Sequence, residues 1–267
     1  MDTSEIMGLA LRMAKFDRIP ADSGIWVPGK GIRKALFAID GGTAEIAVAE
    51  SLGYDALIAH HPMGPARLRL HKVVARQVGF MVEKGVPKKV AEAAAEQLAR
   101  RVEVRAHPAN YLQDVDLARR LGLPLMNVHL PIDQVTRDFL LDAIKRSKAR
   151  TVGGLVSSLE GIREFARAKT RIETRLGSPD NQLGNWALVF AGGTNGGYPV
   201  AKAYFDSGVD TVIYLHVDYD DLLRLKKEGK GNLVVLGHMA GDSIGINLFL
   251  DELQKEGVKA DTLGVVR

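Results

Sequence analysis

The residues of this sequence that are best suited to chemistry are histidines and aspartates that follow apolar, strand-like runs. His60 and His61 end the phrase ALIAHHP, and His238 and Asp242 belong to LVVLGHMAGD. Imidazole nitrogens and carboxylate oxygens are ligands that suit Zn, Fe, Mn or Ni. Two such groups at strand ends therefore indicate one divalent-metal site that is assembled from distant parts of the chain.

The tandem histidines need a break in the strand before both rings can serve one site, because adjacent side chains of a regular strand point to opposite faces. Pro62 supplies that break, since a proline keeps the preceding residue extended and terminates the ladder. The rings of His60 and His61 could then address a shared cavity or two neighbouring metals. The alternative is one core histidine and one solvent-exposed histidine.

Two aspartates extend the pattern, each four residues after a histidine. His238 and Asp242 flank a Gly-bearing turn, and His129 and Asp133 repeat the spacing after the apolar run 125–128. Ligands of open α/β sheets gather outside such strand ends. Both aspartates have an alternative role: Asp242 as an ordinary helix N-cap, and Asp133 in a turn or in capping the next helix.

Three groups of one chemical type at three strand ends favour a joint interpretation. We predict that the metal ligands are His60, His61, Asp133, His238 and Asp242. Two cations about 3.5 to 4 Å apart would activate water near neutral pH and polarise a phosphoryl or amide oxygen. The chain has no cysteine, which excludes disulfides and thiolate ligands.

Other polar residues have weaker signals. His216 ends the run 211–215 and could face the same cavity, and Asp40 could approach it, although a turn role explains Asp40 equally well. The Gly-rich stretch 192–197 could hold an anion on backbone amides, although tight-turn chemistry is the simpler explanation. His71 and His107 fit surface or structural roles.

Short apolar runs alternate with stretches of helical periodicity, which is typical of an α/β fold. The predicted strands are 35–39, 56–59, 102–106, 125–128, 187–191, 211–215 and 233–236. The predicted helices are an N-terminal amphipathic helix, 43–52, 73–84, 88–101, 115–121, 137–147, 198–207, 219–227 and 243–256. The polar region 167–185 is the best candidate for a loop or lobe junction.

The two halves of the chain share a layout. In each half a strand, a Gly-bearing turn and a helix precede a second strand that ends in histidine, and a Gly and an Asp come before that second strand. An ancient duplication is consistent with this similarity. We predict two similar α/β lobes, 1–145 and 146–267.

Composition limits the class of protein. With 267 residues, of which 46% are hydrophobic, the chain can bury a sizeable core. A net charge of +4 is compatible with anionic substrates but is too small to argue for nucleic acid, which we expect to be an unlikely partner. No apolar run approaches the roughly 18 to 20 residues that span a bilayer, and the N-terminus lacks a signal-peptide pattern. We expect a cytoplasmic protein without a membrane partner.

These motifs together resemble the Nif-three-like family, whose members are also labelled GTP cyclohydrolase I type 2 homologs. The resemblance covers most of the chain, from Asp40 through His60-His61-Pro62 and the Gly-rich turn to Asp242. It implies two interlocked lobes with three α-β-α layers, a pocket between them for two divalent metal ions, and a hexameric ring. By motif matching, the five predicted residues inherit the ligand role, and His129 becomes a ligand or a residue that supports one.

The chain departs from the family pattern in three places. Asp242 stands where the family usually has Glu, the Gly-rich turn has an extra residue, and Tyr214-Leu215-His216 replaces a common Thr-Gly-acid sequence. His216 could therefore add a nitrogen to the pocket.

The leading functional hypothesis is a metal-dependent, hydrolase-like enzyme for a small anionic molecule related to nucleotides or pterins. His129 or His216 could move protons in that reaction. The second hypothesis is a metal or metal-cofactor chaperone without turnover. A regulatory binding protein ranks third, because the sequence offers no separate interaction motif.

Overall fold

The computed structural model describes residues 1–267 and contains two β-sheets with helices packed on them. The strands are β1 Gly24–Val27, β2 Lys34–Ala38, β3 Ala56–Ala59, β4 Leu125–Asn127, β5 Glu173–Leu176, β6 Trp186–Val189, β7 Thr211–Tyr214, β8 Asn232–Val235 and β9 Lys259–Leu263. The helices are α1 Thr3–Ala14, α2 Thr43–Ser51, α3 Ala66–Arg69, α4 Arg76–Glu83, α5 Lys88–Ala106, α6 Gln113–Leu121, α7 Leu130–Ser147, α8 Val152–Glu160, α9 Arg163–Arg167, α10 Gly197–Asp206, α11 Tyr219–Glu228 and α12 His238–Lys255. The predicted α/β class is confirmed.

The chain forms two compact units, each built from separated stretches. The first unit comprises Met1–Val73, Glu103–Val135 and Asp242–Val265, and the second comprises Val74–Val102, Thr136–Gly241 and Val266–Arg267. Helices α5, α7 and α12 each contain residues of both units. The lobe limits 1–145 and 146–267 stay a prediction.

The sheet of the first unit has the order β1-β4-β3-β2-β9. Strands β2, β3, β4 and β9 run parallel, and only the edge strand β1 is antiparallel to its neighbour. Alternate residues face opposite sides: Phe37 and Ile58 pack in a core with α1 and α12, whereas Leu36 and Leu57 pack in a second core with α2 and α6. The unit therefore has three layers, because both faces of a mostly parallel sheet must be covered.

The sheet of the second unit has the order β5-β8-β7-β6, with β6, β7 and β8 parallel and β5 antiparallel at the edge. One apolar core joins these strands to α4, α5, α10 and α11. Helix α8 contacts β8. The region 167–185 contains β5 and lies within the second unit.

The two sheets share a topology that matches the layout of the two halves of the sequence. In each sheet, an antiparallel edge strand is followed by three parallel strands in reversed chain order, and β9 adds a fourth parallel strand to the first sheet. Asp55 directly precedes β3, and Asp210 directly precedes β7. These two aspartates have the same structural role in their units. Asp55 accepts hydrogen bonds from the backbone N–H groups of Arg33 and Lys34 at 2.9 and 2.8 Å, and Asp210 accepts one from Asn185 at 2.7 Å. Each aspartate thereby fixes the start of two neighbouring strands.

Several predicted elements differ from the observed ones. The predicted strand 102–106 is wrong, because these residues form the end of α5. The edge strands β1, β5 and β9 were not predicted, and the burial of β5 and β9 alternates without a fully buried residue. Helices α7 and α12 begin seven and five residues earlier than expected, at Leu130 and His238. None of the helices combines the length and hydropathy that crossing a membrane requires.

Candidate metal centre

The tandem histidines directly follow the fully buried strand β3. The backbone N–H of His60 donates to Ala38 at 2.8 Å, and that of His61 donates to Ile39 at 2.9 Å. Successive N–H groups of a regular strand alternate between its two neighbours, but here both point towards β2. The alternation is therefore broken before Pro62, and the two rings lie with their centroids 5.2 Å apart.

Two helices bring carboxylates to these rings. Asp133 lies in the first turn of α7, where Pro131 is tolerated because a first-turn residue needs no N–H donor. The N–H of Asp133 donates to His129 O at 3.0 Å, so the helix starts directly after His129. Asp242 is the fifth residue of α12 and is buried. It lies inside the helix, which excludes the alternative that it is the N-cap.

The first unit thus contains a compact His/Asp cluster formed by His60, His61, His129, Asp133 and Asp242. The Nε2 atom of His60 lies 3.4 Å from Asp133 Oδ1 and 3.8 Å from Asp242 Oδ2. The Nε2 atom of His61 lies 3.3 Å from Asp242 Oδ2, and that of His129 lies 3.7 Å from Asp133 Oδ2. Each carboxylate therefore lies between two imidazoles.

The Nδ1 atoms of the three cluster histidines face oxygen atoms. The Nδ1 of His60 is 3.1 Å from the carbonyl oxygen of Val128, that of His61 is 2.7 Å from Asp40 Oδ1, and that of His129 is 2.7 Å from Asp22 Oδ2. Carbonyl and carboxylate oxygens only accept hydrogen bonds, so Nδ1 carries the proton and a neutral ring keeps its lone pair on Nε2. Histidines that bind metals are usually oriented in this way.

The cluster fits a divalent cation. The Nε2 atom of His60 is buried and has no hydrogen-bond partner, which is costly for a polar atom. Ligand atoms of His60, Asp133 and Asp242 lie within 4.8 Å of one another, as do those of His60, His61 and His129. Imidazole and carboxylate donors suit Zn, Fe, Mn or Ni. The buried cluster is therefore compatible with metal binding.

The same carboxylates alter the protonation of the rings. Burial opposes a charge on His129, but Asp133 and Asp22 outweigh it and raise the pKa of His129 to about 9. Burial also opposes a charge on His61, and Asp242 outweighs it, so that the pKa of His61 is raised. The negative charge of the cluster thus attracts protons to the imidazoles, as it would attract a metal ion.

The remaining predicted residues lie in the second unit. His216 follows β7 and His238 begins α12, and their ring centroids are 4.6 Å apart. His238 precedes Asp242 by one turn of that helix. The Gly-rich stretch 192–197 links β6 to α10, and the side chain of Gln77 donates to its Gly192 and Thr194 carbonyls at 3.0 and 3.2 Å.

Sequence reasoning missed Asp22 and left Asp40 ambiguous. Asp22 is fully buried and lies in the loop before β1, where its side chain contacts His129. The backbone of His129 is also held, because its N–H donates to Ser23 Oγ at 3.0 Å. No periodic pattern or motif surrounds Asp22, so only the folded structure connects it with the cluster. Asp40 is largely exposed and contacts His61.

Of the comparisons with known proteins, only the one with solved structures finds similar proteins. No protein-family model and no curated protein sequence matches the chain. Among solved structures, reduced HcgD from Methanocaldococcus jannaschii is 14% identical, with a TM-score of 0.62 and 98% of each chain covered. A Bacillus cereus protein related to NIF3 is 12% identical, with a TM-score of 0.55 and coverages of 97% of this chain and 96% of that chain. At such identities the likeness concerns the fold alone.

A third solved structure is much more similar. The crystal structure of a NIF3 superfamily protein from Sphaerobacter thermophilus has a TM-score of 0.96 and 40% sequence identity. The alignment covers 99% of this chain and 98% of that one. Such identity over nearly the whole of both chains confirms the family that the motifs predicted, and this chain belongs to the NIF3 superfamily.

Proposed function

We propose that this protein is a metal-dependent, hydrolase-like enzyme that acts on a small anionic molecule related to nucleotides or pterins. One observation carries the proposal. Three imidazoles are held by their Nδ1 atoms, and their Nε2 atoms face two buried carboxylates. A core that only needed to be stable would gain little from this arrangement, because burying charged groups is expensive.

We assign the ligand role for two divalent ions to His60, His61, Asp133, His238 and Asp242. The rings of His60 and His61 and both aspartates lie in the His/Asp cluster. His238 is included because it precedes Asp242 by one turn of α12. When bound, such ions supply Lewis acidity and activate water for attack on a phosphoryl or amide group.

His129 has the features of a proton donor. Its Nδ1 is held by Asp22, and this contact also stabilises the protonated ring. Its Nε2 atom faces Asp133 at 3.7 Å, on the side of the other two rings. We therefore assign to His129 the transfer of a proton at Nε2 to the leaving group.

The test combines metal analysis with a substrate screen. Purified protein, His60→Ala and His238→Ala should be compared for metal content and for turnover of nucleotides, phosphoesters and cyclic amides. His107→Ala is the matched control, because His107 is exposed. We expect two metals per chain and turnover in the wild type and the control, and loss of both in the other variants. Retention of two metals in both ligand variants would refute the assigned site.

A metal chaperone is the second candidate, because the cluster has an open side. The side chain of His61 is 23% exposed, and that of its partner Asp40 is 85% exposed. A metal held there could exchange with solvent or with an acceptor protein. Transfer of one equivalent of metal to an apo acceptor protein, without turnover of any screened compound, would favour a chaperone role over an enzymatic role.

We also propose that the chain assembles into a homohexameric ring, as the family resemblance implies. Size-exclusion chromatography with light scattering should then give a mass of about six times the 29.0 kDa of one chain. A monomeric or dimeric mass over the micromolar range would contradict this assembly.

A further inference from the structure

His216 differs from the cluster histidines in what its Nδ1 atom contacts. The ring is half-buried at the end of β7, and its Nδ1 lies 3.0 Å from the side-chain nitrogen of Asn195. Asn195 belongs to the Gly-rich stretch 192–197 and is only 8% exposed. The contact therefore joins the end of β7 to this turn, within the second unit.

The orientation of the Asn195 amide is fixed by a second hydrogen bond. Its Oδ1 atom accepts the backbone N–H of Gly197 at 2.8 Å. A backbone N–H can only donate, so the atom facing it must be the amide oxygen, and the amide nitrogen must face His216. Because an amide nitrogen only donates, Nδ1 of His216 must accept the hydrogen bond.

This requirement sets the tautomer of His216. A neutral imidazole whose Nδ1 accepts carries its proton on Nε2. The cluster histidines have the opposite arrangement, with oxygen atoms at Nδ1 and the lone pair on Nε2. His216 therefore offers an N–H donor at the atom that the other rings would offer to a metal. Its ring lies 4.6 Å from that of His238, which places this donor beside an assigned ligand.

We propose that His216 binds substrate rather than metal, and that its Nε2–H donates a hydrogen bond to an anionic oxygen of the substrate, such as a phosphate oxygen. This inference rests on the proposed function, because it places the substrate beside His238. It replaces the expectation that His216 adds a nitrogen ligand. A neutral N–H donor is sufficient for this role, because a hydrogen bond to a charged oxygen is stronger than a hydrogen bond between two neutral groups.

The first test reads the tautomer directly and needs neither metal nor turnover. Long-range ¹H–¹⁵N NMR spectra of the metal-free protein, recorded where the ring is neutral, should show the Nε2–H form for His216. Asn195→Asp should reverse the tautomer, because a carboxylate accepts a hydrogen bond from Nδ1–H. A wild-type ring in the Nδ1–H form would overturn the proposal.

The second test separates substrate binding from metal binding. His216→Gln keeps an N–H donor near the position of Nε2, whereas His216→Leu removes it. Both variants should keep the wild-type metal content, and inorganic phosphate should bind the metal-loaded Leu variant about tenfold more weakly or worse, with the Gln variant close to wild type. Loss of metal from both variants, or no phosphate binding by the wild type, would overturn the proposal. Metal loss from His60→Ala still tests the proposed function separately.

Discussion

At the scale of single residues, the atom that faces Nδ1 decides what each histidine can do. Val128, Asp40 and Asp22 place oxygen atoms there and direct the lone pair to Nε2. Asn195 places a nitrogen there and makes Nε2 of His216 a donor. Histidines with similar strand-end positions therefore differ in chemistry because of neighbours that are distant in sequence.

Replacement of Asp22 should weaken metal binding although Asp22 is not itself an assigned ligand. Asp22→Asn keeps the shape of the buried side chain but removes the charge that orients His129. His129 faces the assigned ligand Asp133 at 3.7 Å, so Asp22 supports that ligand through His129. Loss of a residue that supports a ligand typically lowers metal affinity by about 10- to 100-fold. Competition with a chromophoric chelator measures the change.

Asp40→Asn should have a smaller effect in the same assay, because solvent screens its contact with His61. The exposed Asp17 supplies the control variant Asp17→Asn, which should bind metal like the wild type. An Asp22→Asn protein with unchanged affinity and normal circular dichroism would show that Asp22 serves packing alone.

At the scale of secondary structure, α12 holds Asp242 in place through its apolar face. Phe249 is fully buried and packs on Phe37 of β2, with ring centroids 6.2 Å apart. Phe249→Ala should lower the free energy of unfolding by about 3 to 5 kcal/mol, because it leaves a cavity in the core. Urea denaturation measures this loss.

Tyr219 is the control for this prediction, since it is 72% exposed and Tyr219→Ala should change stability by less than about 0.5 kcal/mol. Equal losses in the two variants would mean that the packing of α12 on the first sheet contributes little to stability.

The strand-start aspartate Asp55 should give a pH-dependent contribution to stability. Hydrogen bonds from the backbone of Arg33 and Lys34 lower the pKa of Asp55, against a smaller effect of burial. Because the folded-state pKa is below the unfolded-state value, the carboxylate stabilises the fold above the unfolded pKa and loses this contribution as the pH falls through the folded pKa.

We expect Asp55→Ala to be about 1 kcal/mol less stable at neutral pH. The difference from wild type should begin to shrink as the pH falls below the ordinary pKa of 3.8, and it should be smallest below the lowered pKa of the folded state. Thermal unfolding at a series of pH values measures it. A difference that stays constant into strong acid would assign the effect to the lost side chain rather than to its charge.

The sequence predicted the buried strands and the cluster histidines because both have local patterns. An apolar run that ends in His-His-Pro can be identified from the local sequence alone, and β3 lies where that pattern predicts a strand. Edge strands such as β9 alternate between exposed and half-buried residues and have no such signal. Helix α7 begins before the predicted residue 137, because Pro131 would break a helix interior but is accepted in the first turn.

At the scale of the whole molecule, metal binding should stabilise the folded chain. The cluster draws His60, Asp133 and Asp242 from separated stretches, so the unfolded chain cannot present the same ligands. A free metal concentration 100 times Kd should raise the free energy of unfolding by about 2.7 kcal/mol.

Thermal unfolding with chelator and with added metal measures this stabilisation. Asp242→Asn should show little metal-dependent shift, and Asp17→Asn should show the full shift. Equal shifts in both variants would place the stabilising metal outside the cluster.

The discontinuity of the first unit has a consequence for the order of assembly during synthesis. A nascent chain that ends before Asp242–Val265 lacks one carboxylate of the cluster, and β2 has no β9 to pair with. Until that stretch emerges, β2 presents an open edge that could recruit other chains. Loading of the proposed metal with its full ligand set therefore requires that synthesis has passed Asp242.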